Sequence, residues 1–385
     1  MRILHLCLKY TPAIGGAERY CERLATAFAA RGHQVEVLTS NLIEHVRFKR
    51  LPASVPRVEV VSGVRIVRCP SINIPGNVYP VMLSMPWHLL RLRPDIIHAH
   101  CWGYFTVDLP AVLRRWLGVP VIIKPWIPPG DRHHGWSRTF LDRLSARVDA
   151  IIVASSFERD AILARGLKPR RMVEIPPAID QRPYRNARRD RFRRMGWGDD
   201  PVVLFVGRLA EGKGIDLILK SAGSLKGKVD RFRIAFVGPD YGLRDWIQAE
   251  AKRLVIDDRV AVFDPPKDED LPDFYRSATC FCFPSQYEVF GLVLIEAMAA
   301  GLPIVSSNNA AIPTVIENGR TGLLVRSGEP GELAEALARL LGDAELRTSL
   351  AKAGLDEVEK RYREDRVLDQ TEQLYLELRG QYTGV

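Results

Sequence analysis

The chain alternates continuous apolar runs with helical patterns along nearly its whole length, in two successive series. Uninterrupted apolar runs are typical of parallel strands covered on both faces. The first series predicts strands over 2–7, 34–39, 63–68, 95–98, 120–123, 150–153 and 171–175. The second predicts strands over 202–206, 233–237, 259–263, 279–283, 303–306 and 322–325. Each series therefore predicts a doubly wound α/β domain.

A break between the two series marks the expected domain boundary. Ile175–Pro183 carries three prolines, and six arginines crowd the stretch 185–194. We expect a first domain over 1–182, a linker over 183–200, a second domain over 201–363 and a helix over 364–385 that packs back on the first domain. Ligands bind at the carboxyl ends of parallel strands, so a cleft between two such facing domains is the expected binding site.

Charge and cysteine usage narrow the class of protein. The net charge of +9 and the pI of about 9.3 favour an acidic partner, such as a phosphorylated substrate or an anionic lipid. Aromatic residues do not interleave with the arginines, which argues against a nucleic-acid partner. The six cysteines lack Cys-x-x-Cys spacing, which predicts reduced, buried thiols in a cytoplasmic protein. No apolar run is long enough to span a bilayer.

The stretch Ser285–Gly301 places two carboxylates around the start of a helix. Glu288 follows an apolar strand, and Glu296 lies about five residues inside the helix that comes next. Gly291 allows the backbone to approach a ligand closely. The unpaired amides at the helix start form an anion site, contributed by Gly291, Leu292 and Val293. A phosphate site flanked by two hydroxyl-binding carboxylates favours a nucleotide sugar over a bare phosphate.

Two glycine-bearing loops follow predicted strands. The first contains Gly15 and Gly16, and the second, over 207–214, contains Arg208 and Lys213. The second loop matches most of a P-loop, but Gly214 stands where a P-loop needs Ser or Thr to hold Mg²⁺. The better interpretation is that the arginine and the lysine neutralise a diphosphate leaving group.

The set Glu288, Phe290-Gly291-Leu292-Val293 and Glu296 resembles the Glu-x7-Glu signature of the retaining GT-B glycosyltransferases of family four. Further landmarks, such as His98-Ala-His100 and Asn318–Leu323, extend the resemblance over almost the whole chain. The resemblance implies the α/β GT-B fold: two facing Rossmann-like domains with a cleft between them, the first binding the acceptor and the second the donor. It also implies metal-independent transfer from a nucleoside-diphosphate sugar to a sugar, glycan, lipid-linked or small-molecule hydroxyl, with retention of configuration and no cofactor besides that co-substrate.

The resemblance also implies residue roles. Glu288 would orient the sugar hydroxyls, and Glu296 would hold the ribose hydroxyls. The predicted catalytic residues are Glu288, Arg208, Lys213 and His100. The predicted donor-binding residues are Gly15, Gly16, Arg208, Lys213, Glu288, Phe290, Gly291, Leu292, Val293 and Glu296.

One position departs from the family pattern. Many members carry a histidine after the strand at 120–123, where this chain has Trp126. The tryptophan would stack on a sugar, or another histidine would compensate: His98, His100, His133 or His134. Two of these histidines, His98 and His100, lie on one face of a predicted strand. Together with Asp131, His133 and His134 they could form a metal site, although we expect none.

Three alternative functions stay open at this stage. A nucleotide-sugar epimerase would use the same two domains without an acceptor. A Mg²⁺-dependent P-loop NTPase would use Asp240 or Asp264 as its second acidic motif. A non-catalytic nucleotide-sugar sensor would fit the tryptophan at 126.

The segment Tyr79–Arg93 is apolar and aromatic and ends in arginines. A buried helix of the first domain is one interpretation. The other is a surface that meets lipid headgroups or a lipid-linked acceptor, in which case the protein would lie peripherally on the inner face of an anionic membrane.

Overall fold

We describe a computed structural model of the chain for residues 1–13, 15–73, 79–127 and 136–383. The chain forms two compact units. Unit 1 contains Met1–Pro177 and Asp365–Val385, and unit 2 contains Ala178–Glu364. Both are parallel-sheet α/β units, as the sequence predicts.

Unit 1 begins with alternating strands and helices. Its strands are β1 (Arg2–Cys7), β2 (Gln34–Ser40), β3 (Leu42–Glu44), β4 (Lys49–Arg50), β5 (Val58–Val61), β6 (Val64–Cys69), β7 (Ser71–Asn73), β8 (Pro80–Met82), β9 (Ile96–His100), β10 (Val121–Lys124), β11 (Ala150–Val153) and β12 (Met172–Glu174). Its helices in this part are α1 (Gly16–Ala30), α2 (Met85–Leu92), α3 (Phe105–Leu117), α4 (Trp136–Ser145) and α5 (Ser156–Ala164).

The main sheet of unit 1 runs in the order β12-β11-β10-β9-β1-β2-β6-β5, and all its pairings are parallel except that of the edge strand β5. The inner strands are buried on both faces, as in β11, where all four residues are inaccessible. The short strands pair off in two hairpins, β3 with β4 and β7 with β8, which the sequence did not predict. Such two- and three-residue strands carry too few residues for a readable period.

Unit 2 carries a second parallel sheet. Its strands are β13 (Val202–Val206), β14 (Arg233–Val237), β15 (Val260–Phe263), β16 (Cys280–Phe283), β17 (Ile304–Ser307) and β18 (Leu323–Val325), in the order β15-β14-β13-β16-β17-β18. Its helices are α6 (Arg182–Asn186), α7 (Ile215–Leu225), α8 (Arg244–Arg253), α9 (Leu271–Ser277), α10 (Leu292–Ala299), α11 (Ile312–Val315), α12 (Pro330–Gly342) and α13 (Ala344–Glu357). Short helical turns cover Arg193–Trp197, Asp257–Arg259 and Val358–Tyr362.

Residues 183–200, predicted as a linker, belong to unit 2. Their anchors are aromatic. Phe192 is 2% exposed and packs 5.8 Å, centroid to centroid, from Phe274, while Tyr184 packs against Tyr275. Six arginines dominate the composition of this stretch, which gives no signal for the two buried rings.

The last helix, α14 (Glu364–Thr383), packs on unit 1. The Glu372 carboxylate accepts hydrogen bonds from Arg31 at 2.9 Å and contacts His33 Nε2 at 2.9 Å. Deeper in the unit, the Tyr375 hydroxyl lies 2.6 Å from His98 Nδ1. The helix therefore covers the core of unit 1 with chain from the far end of the sequence.

Candidate active site

The candidate donor site lies at the point where the strand order of unit 2 reverses. Strand β13 pairs with β14 on one side and with β16 on the other, so the loops after β13 and β16 leave the same edge of the sheet as neighbours. Doubly wound sheets bind ligands at such points. The backbone ties the two loops together, because the Gln286 amide donates to the Gly212 carbonyl at 2.9 Å.

The tip of α10 is the anion-binding element. Gly291 precedes the helix with φ 86°, a left-handed conformation in which its backbone turns into the first turn. The amides of Leu292 and Val293 lie where an α-helix provides no acceptor of its own. The Phe290 side chain is 2% exposed and packs edge-on against Tyr362. Phe290 therefore anchors the loop in the core of unit 2, and its ring has almost no surface that a ligand could contact.

Lys213 and Glu288 meet in an ion pair. Lys213 Nζ lies 2.5 Å from Glu288 Oε1, and the two side chains are only 17% and 16% exposed. The Ser285 hydroxyl donates to the same carboxylate oxygen at 3.2 Å. Lys213 and Glu288, both predicted as catalytic, thus lie together at the carboxyl ends of the unit 2 strands, and each neutralises the charge of the other.

Glu296 is more enclosed than the sequence suggested. It is 2% exposed, and the Tyr275 hydroxyl donates to its Oε2 at 2.9 Å. Its predicted contact with ribose hydroxyls stays a prediction. The hydrogen bond fixes the carboxylate at one position, which is what a ribose-binding role would need.

Packing in unit 2 argues against the P-loop alternative. Gly214 has φ 75°, and a Cβ at this position would lie 2.1 Å from the Pro284 carbonyl oxygen. A Ser or Thr ligand for Mg²⁺ does not fit there.

Asp240, a candidate for the acidic motif, instead caps the backbone amides of residues 242–244 through Oδ1. The amide of Gly242 is the largest cause of a lowered pKa for this carboxyl. Asp264 pairs with Arg244.

Arg208 differs from Lys213 in its surroundings. Its side chain is exposed, and no carboxylate lies within ion-pair distance of it in the described part of the chain. Its guanidinium carbon lies 5.5 Å from the ring centroid of Tyr241. Tyr241 follows β14 at the ligand edge, but a lone tyrosine in a loop gave no sequence signal.

In unit 1, the loop before α1 brings Gly15 against a carboxylate. A Cβ on Gly15 would lie 2.1 Å from Glu18 Oε2. Glu18 also pairs with Lys9 at 2.9 Å. A side chain at Gly15 would displace the Glu18 carboxylate, which is the far end of a flexible side chain, so packing alone does not require glycine here. Gly16 is the first residue of α1, and the donor contacts predicted for both glycines stay predictions.

His100 is an interior residue in this structure. Its side chain has no exposed surface, and its Nε2 lies 3.1 Å from His5 Nδ1. Burial is the main cause of its strongly lowered pKa, so the imidazole is neutral. The buried ring of His100 has no exposed surface in this structure, and its predicted catalytic role stays a prediction. An alternating apolar and histidine pattern in a buried strand cannot distinguish an inward from a ligand-facing imidazole.

Trp126 lies next to this cluster at the carboxyl end of β10. Its backbone is left-handed with φ 51°, and its ring packs against Tyr20 with centroids 5.1 Å apart. The buried Lys124 ammonium lies 5.1 Å from the Trp126 ring centroid. Two amides of the adjoining backbone, of Ile127 and Ala154, donate to the Glu158 carboxylate at 3.2 and 2.7 Å. Glu158 had not been singled out from the sequence.

Three buried histidines of unit 1 lie close enough together to be candidate metal ligands. His5, His98 and His100 bring ligand atoms within 4.8 Å of one another, and each ring has one nitrogen without a hydrogen-bond partner among the described residues. In the His5–His100 hydrogen bond, however, one of the two neutral rings accepts with its only lone pair. Its other nitrogen therefore carries the proton and cannot bind a metal. Three neutral imidazoles in this arrangement therefore offer at most two lone pairs. Asp131, His133 and His134, the other suggested ligands, lie outside the described residues.

Two family models match the chain, one after the other. The Glycosyl transferase 4-like domain model matches residues 15–178, and the Glycosyl transferases group 1 model matches residues 187–356. The D-inositol 3-phosphate glycosyltransferase of Acidothermus cellulolyticus is 31% identical over 373 residues, which span 89% of this chain and 81% of that protein. D-inositol 3-phosphate glycosyltransferase 1 of Catenulispora acidiphila is 29% identical over 368 residues, spanning 89% and 86%.

Solved structures share the fold. Sucrose-phosphate synthase from Thermosynechococcus elongatus has a TM-score of 0.81 at 22% identity and covers 98% of both chains. Anabaena HepE in complex with UDP-glucose has a TM-score of 0.78 at 19% identity and covers 98% of this chain and 100% of that one. The fold and the site together define a GT-B glycosyltransferase that uses a nucleotide sugar. The chain belongs to the GT4-like glycosyltransferase family.

Proposed function

We propose that this protein transfers a hexose from a nucleoside-diphosphate sugar to a hydroxyl acceptor, with retention of configuration and without a metal ion. One observation carries the proposal: Lys213, Glu288 and the open amides of α10 converge where the strand order of unit 2 reverses. A cation and two amides can neutralise a diphosphate, which is the charge that a metal would otherwise neutralise.

The ion pair gives the site an ordered sequence of contacts. The incoming diphosphate competes for the Lys213 ammonium, and the Glu288 carboxylate is then free to accept hydrogen bonds from sugar hydroxyls. As the bond from the anomeric carbon to the phosphate oxygen breaks, negative charge grows on the diphosphate, toward Lys213, Arg208 and the helix tip. The departing phosphate oxygen takes the proton of the acceptor hydroxyl. The acceptor oxygen then bonds to the anomeric carbon on the face from which the phosphate leaves, so the configuration is retained.

The donor and acceptor classes are proposed from the relatives. A uridine nucleotide is the first donor to test, because the structurally similar HepE is described with UDP-glucose. The sequence relatives are named for D-inositol 3-phosphate. A phosphorylated polyol fits a chain with a net charge of +9, because acceptor phosphates are attracted to basic surfaces.

A peripheral membrane contact is a second part of the proposal. Helix α2 buries Met85 and Leu89, while Trp87 and Leu90 are 56% and 63% exposed. The Arg91 guanidinium lies 5.0 Å from the Trp87 ring centroid. Exposed apolar side chains beside arginine suit the headgroup region of an anionic bilayer. Among the described residues, no helix has the length and apolarity that crossing a bilayer requires.

The proposed location is the cytoplasmic side of such a membrane. All six cysteines are unpaired, and only Cys101 is not fully buried. Free thiols fit a reducing compartment. Sedimentation with anionic liposomes at low salt tests the membrane contact, with a Trp87→Ser, Leu90→Ser double variant as comparison. If the native protein stays in the supernatant, this part of the proposal is wrong.

The donor site is tested by calorimetric binding of UDP, GDP and ADP in EDTA. We expect the native protein to bind one of the three without metal and Glu296→Ala to bind it more weakly. Glu296→Gln, which keeps the shape of the side chain, separates a lost charge from a disturbed core. Glu335→Ala, a charge change at an exposed residue of α12, is the control. Absence of metal-free binding, together with Mg²⁺-dependent ATP binding, would refute the proposal.

A further inference from the structure

Arg208 and Lys213 come from the same loop, but only one of them is held by an acid. Lys213 is paired with Glu288. Arg208 is exposed, and the contact that the structure gives its guanidinium is the ring of Tyr241, at 5.5 Å. A free arginine side chain samples many rotamers, and ordering it for a ligand costs conformational entropy. A contact that orders the side chain beforehand reduces that cost.

The backbone under Tyr241 is held in place by the loop that carries Arg208. The Leu209 amide donates to the Pro239 carbonyl at 2.9 Å, and the Tyr241 amide donates to the Leu209 carbonyl at 3.0 Å. A Cβ on Gly238 would lie 1.9 Å from the Gly207 carbonyl oxygen, so this close approach requires glycine. These contacts join the two loops at the carboxyl ends of β13 and β14.

Tyr241 itself has no structural need to be aromatic. Its side chain is 53% exposed, so the packing of unit 2 makes little use of the ring. Asp240 caps the amides that follow it and fixes the turn without help from the ring. The exposed Tyr241 ring lies on a fixed turn next to Arg208, which has no carboxylate partner among the described residues. This arrangement suits a cation–π interaction that holds the guanidinium.

We propose that Tyr241 is a positioning residue of the donor site: its ring holds the Arg208 guanidinium in place for the donor diphosphate. The inference rests on the proposed function, because it assumes that Arg208 meets a diphosphate. The ring acts through the arginine, so the hydroxyl is dispensable and the effect depends on the phosphates.

The test is calorimetric binding of UDP and UMP in EDTA to the native protein, Tyr241→Ala, Tyr241→Phe, Arg208→Ala and the Tyr241→Ala, Arg208→Ala double variant. We expect Tyr241→Ala to weaken UDP binding about two- to fivefold, the equivalent of a cation–π contact of ~0.5–1 kcal/mol at an exposed site. Tyr241→Phe should bind as the native protein does. In the Arg208→Ala background the loss of the ring should have no further effect, and UMP binding should change less than UDP binding.

Three results would overturn the proposal. Equal UDP binding by Tyr241→Ala and the native protein would show that the ring does not order the arginine. An equal loss in Tyr241→Phe would assign the effect to the hydroxyl. A loss that persists in the Arg208→Ala background would mean that the ring meets the nucleotide directly. Failure of the proposed function has a different signature, since the native protein would then bind none of the nucleoside diphosphates tested.

Discussion

Replacing Glu288 by glutamine should strengthen the binding of a nucleoside diphosphate while it slows sugar transfer. In the free protein the Glu288 carboxylate lies 2.5 Å from Lys213 Nζ. A ligand that carries phosphates but no sugar must break this ion pair and gains nothing from the released carboxylate. Glutamine keeps the size and the hydrogen-bonding capacity of the side chain but removes the competing charge.

The magnitude follows from the burial of the pair. Exposed ion pairs contribute about 0–1 kcal/mol, and hydrogen bonds to charged groups contribute about 1.5–3 kcal/mol. The side chains of Lys213 and Glu288 are 17% and 16% exposed, so we expect their contact to contribute an energy between these two ranges. A difference of about 1–1.4 kcal/mol would lower the Kd for UDP about five- to tenfold. Turnover should fall about 10²–10³-fold, as for loss of one polar group that stabilises a transition state.

The assay is titration calorimetry with UDP in EDTA, paired with a transfer or donor-hydrolysis rate. Glu211→Gln is the matched control, since it removes a negative charge from the loop that carries Lys213, and no ion pair of Glu211 is found among the described residues. Both variants change the net charge equally, so the difference between them isolates the contact with Lys213. If Glu288→Gln binds UDP no more tightly than Glu211→Gln does, the ion pair does not compete with the diphosphate and the reasoning is refuted.

Two further predictions concern packing and pH. Gly214→Ser should destabilise the protein by about 1–3 kcal/mol, because φ 75° and the Pro284 carbonyl both exclude a Cβ; denaturant unfolding measures this, and a stable variant that hydrolyses ATP with Mg²⁺ would revive the NTPase alternative. Burial lowers the pKa of Lys124 to about 8, below its value of about 10.4 in the unfolded chain. Between these values the unfolded state binds the proton and the folded state does not, so stability should rise with pH from about 8 toward 10, by up to about 3 kcal/mol. Unfolding of native protein and Lys124→Met across this range checks the sign, and equal slopes in both would contradict it.

Much of the fold could be predicted from the sequence because its strands are continuous apolar runs. The predicted strands at 2–7, 150–153, 202–206 and 233–237 agree residue for residue with β1, β11, β13 and β14. The hairpins formed by β3, β4, β7 and β8 could not be predicted, since they depend on tertiary neighbours and not on a local period. The structure likewise includes residues 183–200 in unit 2 because of two buried rings, which composition alone does not reveal.

The candidate site was predictable to the extent that it depends on backbone geometry. A glycine after a strand and before a helix indicated the anion site at Gly291, and the structure has that left-handed glycine at the start of α10. Contacts between side chains on separate loops were not predictable. The pairing of Lys213 with Glu288, the contact of Arg208 with Tyr241 and the inward placement of His100 each depend on how two distant segments meet.

The composition of unit 1 from both ends of the chain has a consequence for biosynthesis. Its sheet is complete by residue 177, but Tyr375 and Glu372 of α14, which pack on unit 1, leave the ribosome only after all of unit 2. Unit 2 is continuous in sequence and can finish folding as soon as Glu364 has emerged. During translation, the unit that is begun first is therefore completed after unit 2, and His98 lacks its Tyr375 partner until α14 has been made.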